Sequence, residues 1–321
     1  MLEAREALCR AECVLVATHV SPDVDAIGSL LAFGLVLDAL GLKAVLLSEG
    51  GIPYEAAFLP GTERVADRAE GQFDLAVILD CPRAQRIGDA ARALGGLPVM
   101  NIDHHETNAL FGQYNIVEPR MASTTQLVYR FAAVAGVPVS GEMATCLLAG
   151  LVGDTQGFRT PGTDLRVLRD AVALMAAGAD LWAVNQGVFN ATPRNHVGLW
   201  GRVLSGAVVE NGLVWATIPM STWREAEVPE TEDTGLVNFL LATQGTLAAA
   251  LFSEDRGGKV RVSFRSVPGV DVASVARAFG GGGHRQAAGC RVSGSLEEVT
   301  QRVLEQLRQV VHGSSQRSAA S

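Results

Sequence analysis

The triplet Asp103-His104-His105 follows the apolar run Val99-Met-Asn-Ile102, which reads as a buried strand. One hard oxygen donor beside two imidazole nitrogens suits Mn²⁺, Zn²⁺ or Fe²⁺ better than Ca²⁺. A His pair at a strand end is commonly no more than a hydrogen-bonded surface cluster, so its weight depends on matching groups elsewhere. His19, Asp23 and Asp25 follow the strand-like Val14–Ala17, Asp80 closes Leu75–Leu79, and Asp154 stands where a helical pattern breaks at glycines. Taken singly, Asp23 is a helix cap after Ser21-Pro22, Asp80 a turn residue near Pro82, and Asp154 a helix-end turn residue. Together these eight acidic or imidazole groups would repel one another, and bound cations are the natural compensation. Two divalent ions roughly 3.5–4 Å apart, bridged by a shared carboxylate and a hydroxide, would satisfy that donor count. Such a pair serves in-line phosphoryl displacement, so the expected chemistry is phosphoester hydrolysis.

The elements that must carry these groups are strands alternating with helices. Val14–Ala17, Ala44–Leu47, Leu75–Leu79 and Val99–Ile102 predict strands, and Tyr114–Pro119 an edge strand. The stripe Ile27, Leu30, Leu31, Gly34, Leu35 predicts a helix ending near Leu40, and Gly41 closes it. Further helices are expected from Ser123 or Thr124 to Ala135, from Gly141 to Leu151, and near 164–177 and 181–188. This order predicts an α/β protein with a parallel N-terminal sheet, and ligands of such sheets collect at the carboxyl ends of the strands. All the donors but Asp154 fall there.

At 321 residues the chain is long enough for two cores, and Asn190-Ala-Thr-Pro-Arg-Asn195 is the best linker candidate. The expected division is a catalytic domain over 1–188, a linker over 189–204, a smaller α/β domain over 205–312 and a disordered polar tail over 313–321. Beyond the linker, strands are expected at 206–209, 213–218, 246–252, 259–264 and 288–292, with helices at 271–279 and 296–311. No apolar run reaches membrane-span length, and the opening MLEAREALCR is too acidic and helical for a signal peptide, so a cytoplasmic protein with no membrane contact is expected. The five cysteines are scattered without a CxxC pair and read as reduced thiols; Cys9-x3-Cys13 has no companion ligands for a metal. A net charge of −8 argues against a broad basic face for long duplex nucleic acid. It leaves room for a short phosphorylated substrate neutralised locally by cations and a few arginines.

In the second half, Gly280-Gly-Gly-Gly-His-Arg285 is either a flexible connector or a place where backbone N–H groups approach a phosphate beside His284 and Arg285. Arg265 lies on a strand that can face the same cleft. His196 and His312 lack ligand-rich neighbours and read as surface or structural. The stripe Leu236, Phe239, Leu240 reads as core, and with three tyrosines and four tryptophans, aromatic binding of long single strands is poorly supported.

His19-x3-Asp23-x-Asp25-Ala-Ile-Gly-Ser29, Leu79-Asp80 with Arg86, Asp103-His104-His105 and Gly153-Asp154-Thr155 resemble the four ordered motifs of the DHH phosphoesterase superfamily, and Gly280–His284 resembles the signature of its DHH-associated C-terminal domain. Length and the run Arg261-Val-Ser-Phe-Arg-Ser266 most resemble the small oligoribonuclease/pAp phosphatase branch. The resemblance implies a parallel-sheet DHH domain, a DHH-associated domain and an active-site cleft between them. It implies one metal on His19, Asp23 and Asp80 and a second on Asp25, Asp80, His104 and Asp154, with Asp80 bridging and Mn²⁺ favoured by the imidazoles. Asp103 would orient a histidine or adjust the metal water, and His105 would contact the scissile phosphate. Substrate contacts would come from Arg86, Arg159, Arg261, Ser263, Arg265, Gly281, Gly282, Gly283, His284 and Arg285. Gln156 intervenes where the family often has glycine, which bears on the placement of Arg159. The implied substrates are short 5′-phosphorylated single strands and 3′-phosphoadenosine 5′-phosphate (pAp), and a homodimer is in keeping with the superfamily's small members. A cyclic or linear dinucleotide phosphodiesterase, a single-strand exonuclease and a non-catalytic nucleotide-binding protein are the alternatives.

Overall fold

The computed structural model describes residues 1–230 and 234–318. The chain divides into two compact units, Met1–Thr192 and Pro193–Ser321.

The first unit is built on six parallel strands: β1 (Cys13–Ala17), β2 (Lys43–Leu47), β3 (Val65–Ala66), β4 (Leu75–Leu79), β5 (Val99–Asp103) and β6 (Tyr114–Val117). Their order is β3-β2-β1-β4-β5-β6. The runs are apolar almost throughout because a parallel sheet is covered on both faces. Val14, Val16, Val77, Leu79, Met100 and Ile102 pack under the helices, while Leu15, Ala17, Ala76 and Ile78 enter a smaller cluster with Cys81 and Ile87 on the other face. Six helices belong to this unit: α1 (Leu2–Leu8), α2 (Val24–Ala39), α3 (Thr124–Ala135), α4 (Gly141–Asp154), α5 (Leu165–Ala176) and α6 (Leu181–Phe189). Asp23 caps α2 by accepting from the N–H groups of Asp25 and Ala26 at 3.1 and 3.0 Å. Ser123 caps α3 and Gly136, at φ 73°, ends it in the left-handed conformation.

The second unit has a mixed six-stranded sheet, ordered β11-β12-β10-β9-β8-β7. Its strands are β7 (Val208–Glu210), β8 (Leu213–Ile218), β9 (Ala248–Glu254), β10 (Lys259–Ser266), β11 (Gly282–His284) and β12 (Ala287–Ser293). Helices α7 (Arg194–Ser205), α8 (Met220–Glu225), α9 (Leu236–Leu241), α10 (Val272–Ala278) and α11 (Leu296–Ser318) accompany it. Here the structure corrects several expectations. Most of the stretch expected as linker, 189–204, is helix α7, which buries His196, Leu199 and Val203 and belongs to the second unit. Of the two readings of the glycine run, a loose connector does not hold: Gly282, Gly283 and His284 form strand β11, with Gly280 and Gly281 leading into it. Phe239 is exposed against Trp200, their ring centroids 5.8 Å apart, whereas Leu236 and Leu240 are core as expected. The last helix continues to Ser318 instead of giving way to a disordered tail at 313; residues 319–321 lie outside the described residues. Among the described residues, no helix is long and apolar enough to cross a membrane.

Candidate active site

Three neighbouring strands deliver the donors. β1 hands over to Thr18 and His19, β4 to Asp80, and β5 ends in Asp103 ahead of His104 and His105. β1 and β4 are adjacent at the point where the winding of the sheet reverses, which is where an open α/β sheet leaves a crevice at its strand ends. Asp25 sits in the first turn of α2 and Asp154 in the last turn of α4, and these two helices pack closely. A Cβ on Gly150 would come 2.5 Å from Asp25 Oδ1, so glycine is needed there for α4 to bring Asp154 up to Asp25.

Asp80 occupies the centre. Its backbone is left-handed, φ 54°, a conformation that Asp tolerates better than most residues, and its N–H donates to the Ile102 carbonyl at 3.0 Å. The two carboxylate oxygens face different partners. Oδ2 is 3.5 Å from His19 Nε2, and Oδ1 is 3.7 Å from both His104 Nε2 and His105 Nδ1. His104 Nε2 is also 3.1 Å from Asp154 Oδ2. The possible ligand atoms of His19, Asp23 and Asp80 lie within 4.8 Å of one another, and so do those of Asp25, His104 and Asp154. Asp23 caps α2 through Oδ1 only, so helix cap and ligand are compatible roles for one carboxylate.

The residues fit divalent cations. His19 Nδ1 lies 2.9 Å from the Val20 carbonyl and His104 Nδ1 3.2 Å from the Met121 carbonyl. With Nδ1–H donating to backbone, Nε2 is the nitrogen each ring would offer a cation, and in both residues Nε2 faces Asp80. The carboxylates show the strain of crowding. Burial, with Asp154 and Asp80 nearby, pushes the Asp25 carboxyl well above its ordinary range, against two stabilising backbone donors, Thr124 N–H at 2.6 Å and Thr125 N–H at 3.0 Å. Burial pushes Asp154 up to about 6 despite its hydrogen bond with His104. Asp80 goes the other way: burial opposes its charge, but His19, His105 and His104 hold it below the usual carboxylate range. Burial likewise opposes charge on His104 and His19, yet Asp154 raises the one and Asp80 the other.

A pH dependence follows. With its folded pKa raised to about 6, Asp154 keeps a proton that the unfolded chain has already shed, so the metal-free protein loses stability as pH rises from the ordinary carboxylate range through about 6. A cation held by Asp154 would displace that proton. Added Mn²⁺ is therefore expected to raise the melting temperature more at about pH 7 than at about pH 5, with proton release in calorimetry; equal shifts at both would contradict the linkage.

Asp103 is fully buried and holds His105. Its Oδ1 accepts from His105 Nδ1 at 2.7 Å and from the His104 N–H at 2.9 Å, while Oδ2 accepts from Asn108 Nδ2 at 2.5 Å. Arg86 comes within 3.3 Å of His19 Nδ1, and its carbonyl accepts from the Val20 N–H at 2.8 Å. Arg159 is exposed, and its Nε donates to the Gln156 carbonyl at 2.6 Å, at the edge of a left-handed run over Gln156, Gly157 and Phe158.

Some supporting residues escaped the sequence reading. Thr124 donates its Oγ1 to Asp80 Oδ1 at 2.8 Å and its N–H to Asp25, tying both to the start of α3. Asn101, a polar residue inside an apolar strand, holds the Ile78 and Cys81 carbonyls and accepts from Asn108; its place in that run was the available signal. Thr124→Val, which keeps the shape and removes the hydroxyl, is expected to weaken Mn²⁺ binding roughly 10- to 100-fold with little change in fold, as a metal titration would show.

In the second unit, Arg261, Ser263 and Arg265 alternate with the buried Val260, Val262 and Phe264 along β10 and so share one face. Arg265 is in register with Ala287, and Ala287 with His284, which places His284 on that face too. Gly281 lies so close to the Gly289 carbonyl that a Cβ would clash with it, which explains a glycine there. Arg285 is exposed, 3.9 Å from Asp271 Oδ2.

A doubly wound sheet whose central strand ends gather buried carboxylates and imidazoles around one shared Asp defines a metal-dependent phosphoester hydrolase. The chain belongs to the DHH family: residues 13–151 match the DHH family N-terminal domain and residues 219–313 the DHHA1 domain. It is 34% identical over 297 residues to the bifunctional oligoribonuclease and PAP phosphatase NrnA of Thermus thermophilus, covering 92% of this chain and 89% of that protein. To the Bacillus subtilis protein of the same name it is 27% identical over 288 residues, covering 88% and 90%. Among solved structures, an exopolyphosphatase-related protein from Bacteroides fragilis matches with a TM-score of 0.88 at 25% identity, covering 98% of this chain and 96% of that one. The family resemblance carried by the motifs is thus borne out.

Proposed function

We propose that the protein hydrolyses short 5′-phosphorylated oligoribonucleotides to mononucleotides and removes the 3′-phosphate of pAp to leave AMP. It does so with two bound divalent cations, of which Mn²⁺ best suits a mixed imidazole–carboxylate set. The observation that carries this reading is the Asp80 carboxylate, which turns one oxygen towards His19 and the other towards His104 and His105. Similarity to the two NrnA proteins supports the substrate class.

His19, Asp23 and Asp80 hold one cation; Asp25, Asp80, His104 and Asp154 hold the other. Bound there, the cations supply Lewis acidity and a water acidic enough to attack phosphorus near neutral pH. Asp103 fixes the proton of His105 on Nδ1 and so offers Nε2 to the scissile phosphate. Arg86, beside His19, adds positive charge at the same strand ends. In the second unit, Arg265, His284 and the backbone of Gly281–Gly283 take the substrate's terminal phosphate, with Arg261, Ser263 and Arg285 around them. His284→Ala is expected to raise KM about 10-fold, as removal of a charge-assisted phosphate donor does, with kcat nearly unchanged; an unchanged KM would remove His284 from this role.

The test is Mn²⁺-dependent hydrolysis of pAp, 5′-phosphorylated RNAs of graded length, cyclic dinucleotides and pyrophosphate. Fast turnover of pAp and of the shortest RNAs, fading with length, is expected. Activity confined to long strands or to cyclic dinucleotides would overturn the assignment.

A further inference from the structure

Helix α5 turns Val167, Ala171 and Leu174 into the main core of the first unit, and the same inner face carries a buried carboxylate, Asp170. Arg130 Nη2 donates to Asp170 Oδ1 and Oδ2 at 2.7 Å each, and Gln126 Nε2 donates to Oδ2 at 2.6 Å. A buried carboxylate is costly even when paired, and stability alone would be served as well by an apolar side chain. What the pairing adds is a definite orientation of the Gln126 amide. A carboxylate facing an arginine only accepts, so it takes the amino end of that amide and turns Oε1 the other way. Oε1 then accepts from the Ala122 N–H at 2.8 Å. With the amide reversed, its amino group would meet that N–H, donor against donor.

Ala122 lies within the segment that supports the proposed metal ligands. The Met121 carbonyl accepts from His104 Nδ1 at 3.2 Å, and the Thr124 hydroxyl donates to Asp80 at 2.8 Å. The N–H groups of Thr124 and Thr125 donate to the two oxygens of Asp25 at 2.6 and 3.0 Å. One short stretch of chain, 121–125, thus orients Asp25, Asp80 and His104 together. Ser123 caps the Gln126 N–H, and the Gln126 side chain reaches back to Ala122, so the stretch is closed onto the first turn of α3. Asp170 decides which way that side chain points.

We propose that Asp170 is a positioning residue for the metal centre: through Gln126 it fixes the 121–125 segment, which in turn holds Asp25, Asp80 and His104 ready for a cation. The inference rests on the cation binding proposed above and adds the device that preorganises it.

The experiment measures Mn²⁺ binding by titration calorimetry, well below the melting temperature, together with the Mn²⁺ dependence of pAp hydrolysis. Asp170→Ala frees the amide to reverse. It is expected to weaken binding of at least one Mn²⁺ about 10-fold, the lower end of the effect of removing a direct partner of a ligand, with KM for pAp at saturating Mn²⁺ unchanged. Asp170→Asn, whose amide oxygen can still accept from Gln126, should restore most of the affinity. Gln126→Met leaves the Asp170–Arg130 pair in place and decides the matter if Asp170→Ala does not fold. It should match Asp170→Ala, and the double variant should bind no worse than either alone. Leu174→Ala truncates the core on the same helix but spares these hydrogen bonds, so it should lower the melting temperature and leave Mn²⁺ affinity unchanged. Unchanged affinity in Asp170→Ala or Gln126→Met, or an equal loss in Leu174→Ala, overturns the positioning role. A wild type that binds Mn²⁺ without hydrolysing pAp removes the proposed reaction, and the affinities alone then decide the role of Asp170. A wild type that binds no Mn²⁺ overturns both.

Discussion

Asp80→Ala is expected to abolish turnover, lowering kcat by at least about 10²–10³-fold, the scale set by loss of a preorganised electrostatic element. The reason is that one side chain serves two donor groups. Its Oδ2 faces His19 and its Oδ1 faces His104 and His105, so a single truncation removes a ligand from both proposed cations at once. It also strips three histidines of the anion that supports them and leaves the Thr124 hydroxyl without its acceptor. Among the proposed ligands no other side chain is shared in this way: loss of Asp23, at the exposed edge, touches one group only. Asp80→Asn separates charge from shape, since it fills the same space and can still accept from Thr124. It should be nearly as inactive as Asp80→Ala while melting close to the wild type. Rates within a few fold of wild type for either variant would contradict the shared role.

Asp103→Asn is the second large effect expected, a loss of roughly 10²–10⁴-fold in kcat, the range of general acid–base and orienting groups. Asp103 accepts from His105 Nδ1 at 2.7 Å, from the His104 N–H and from Asn108, and its side chain is closed off from solvent. An asparagine can present its oxygen to only some of these donors. Whichever way the amide turns, an N–H group meets one of them or the proton on His105 moves to Nε2, the nitrogen meant for the phosphate. Because Asp103 lies outside the two principal donor groups, Mn²⁺ affinity should fall far less than kcat. A loss of metal binding as deep as that of activity would place Asp103 among the ligands instead.

The parallel sheet and its donors were legible because each polar group interrupts or follows an uninterrupted apolar run, as at Leu79-Asp80 and Ile102-Asp103. What periodicity could not supply was the strand order, and the order is what brings His19 and Asp80 together across β1 and β4. Thr124 was legible as part of a helix start, but its bonds to Asp80 and Asp25 span large sequence separations and leave no local trace. The second unit was less readable. Its helices α8 and α9 are too short to establish a period, and α7 begins within a polar, proline-containing stretch that resembles a linker. Glycine's poor strand propensity concealed β11, where the close approach to β12 requires glycine.

The most direct measurement is the number of Mn²⁺ ions bound per chain, by equilibrium dialysis at about neutral pH, for the wild type and for Asp80→Asn. Two ions per wild-type chain, falling to one or none in the variant as hydrolysis of pAp is lost, is the expected result. A wild type that is fully active with a single ion, or a variant that still binds two, would contradict a paired centre built around Asp80.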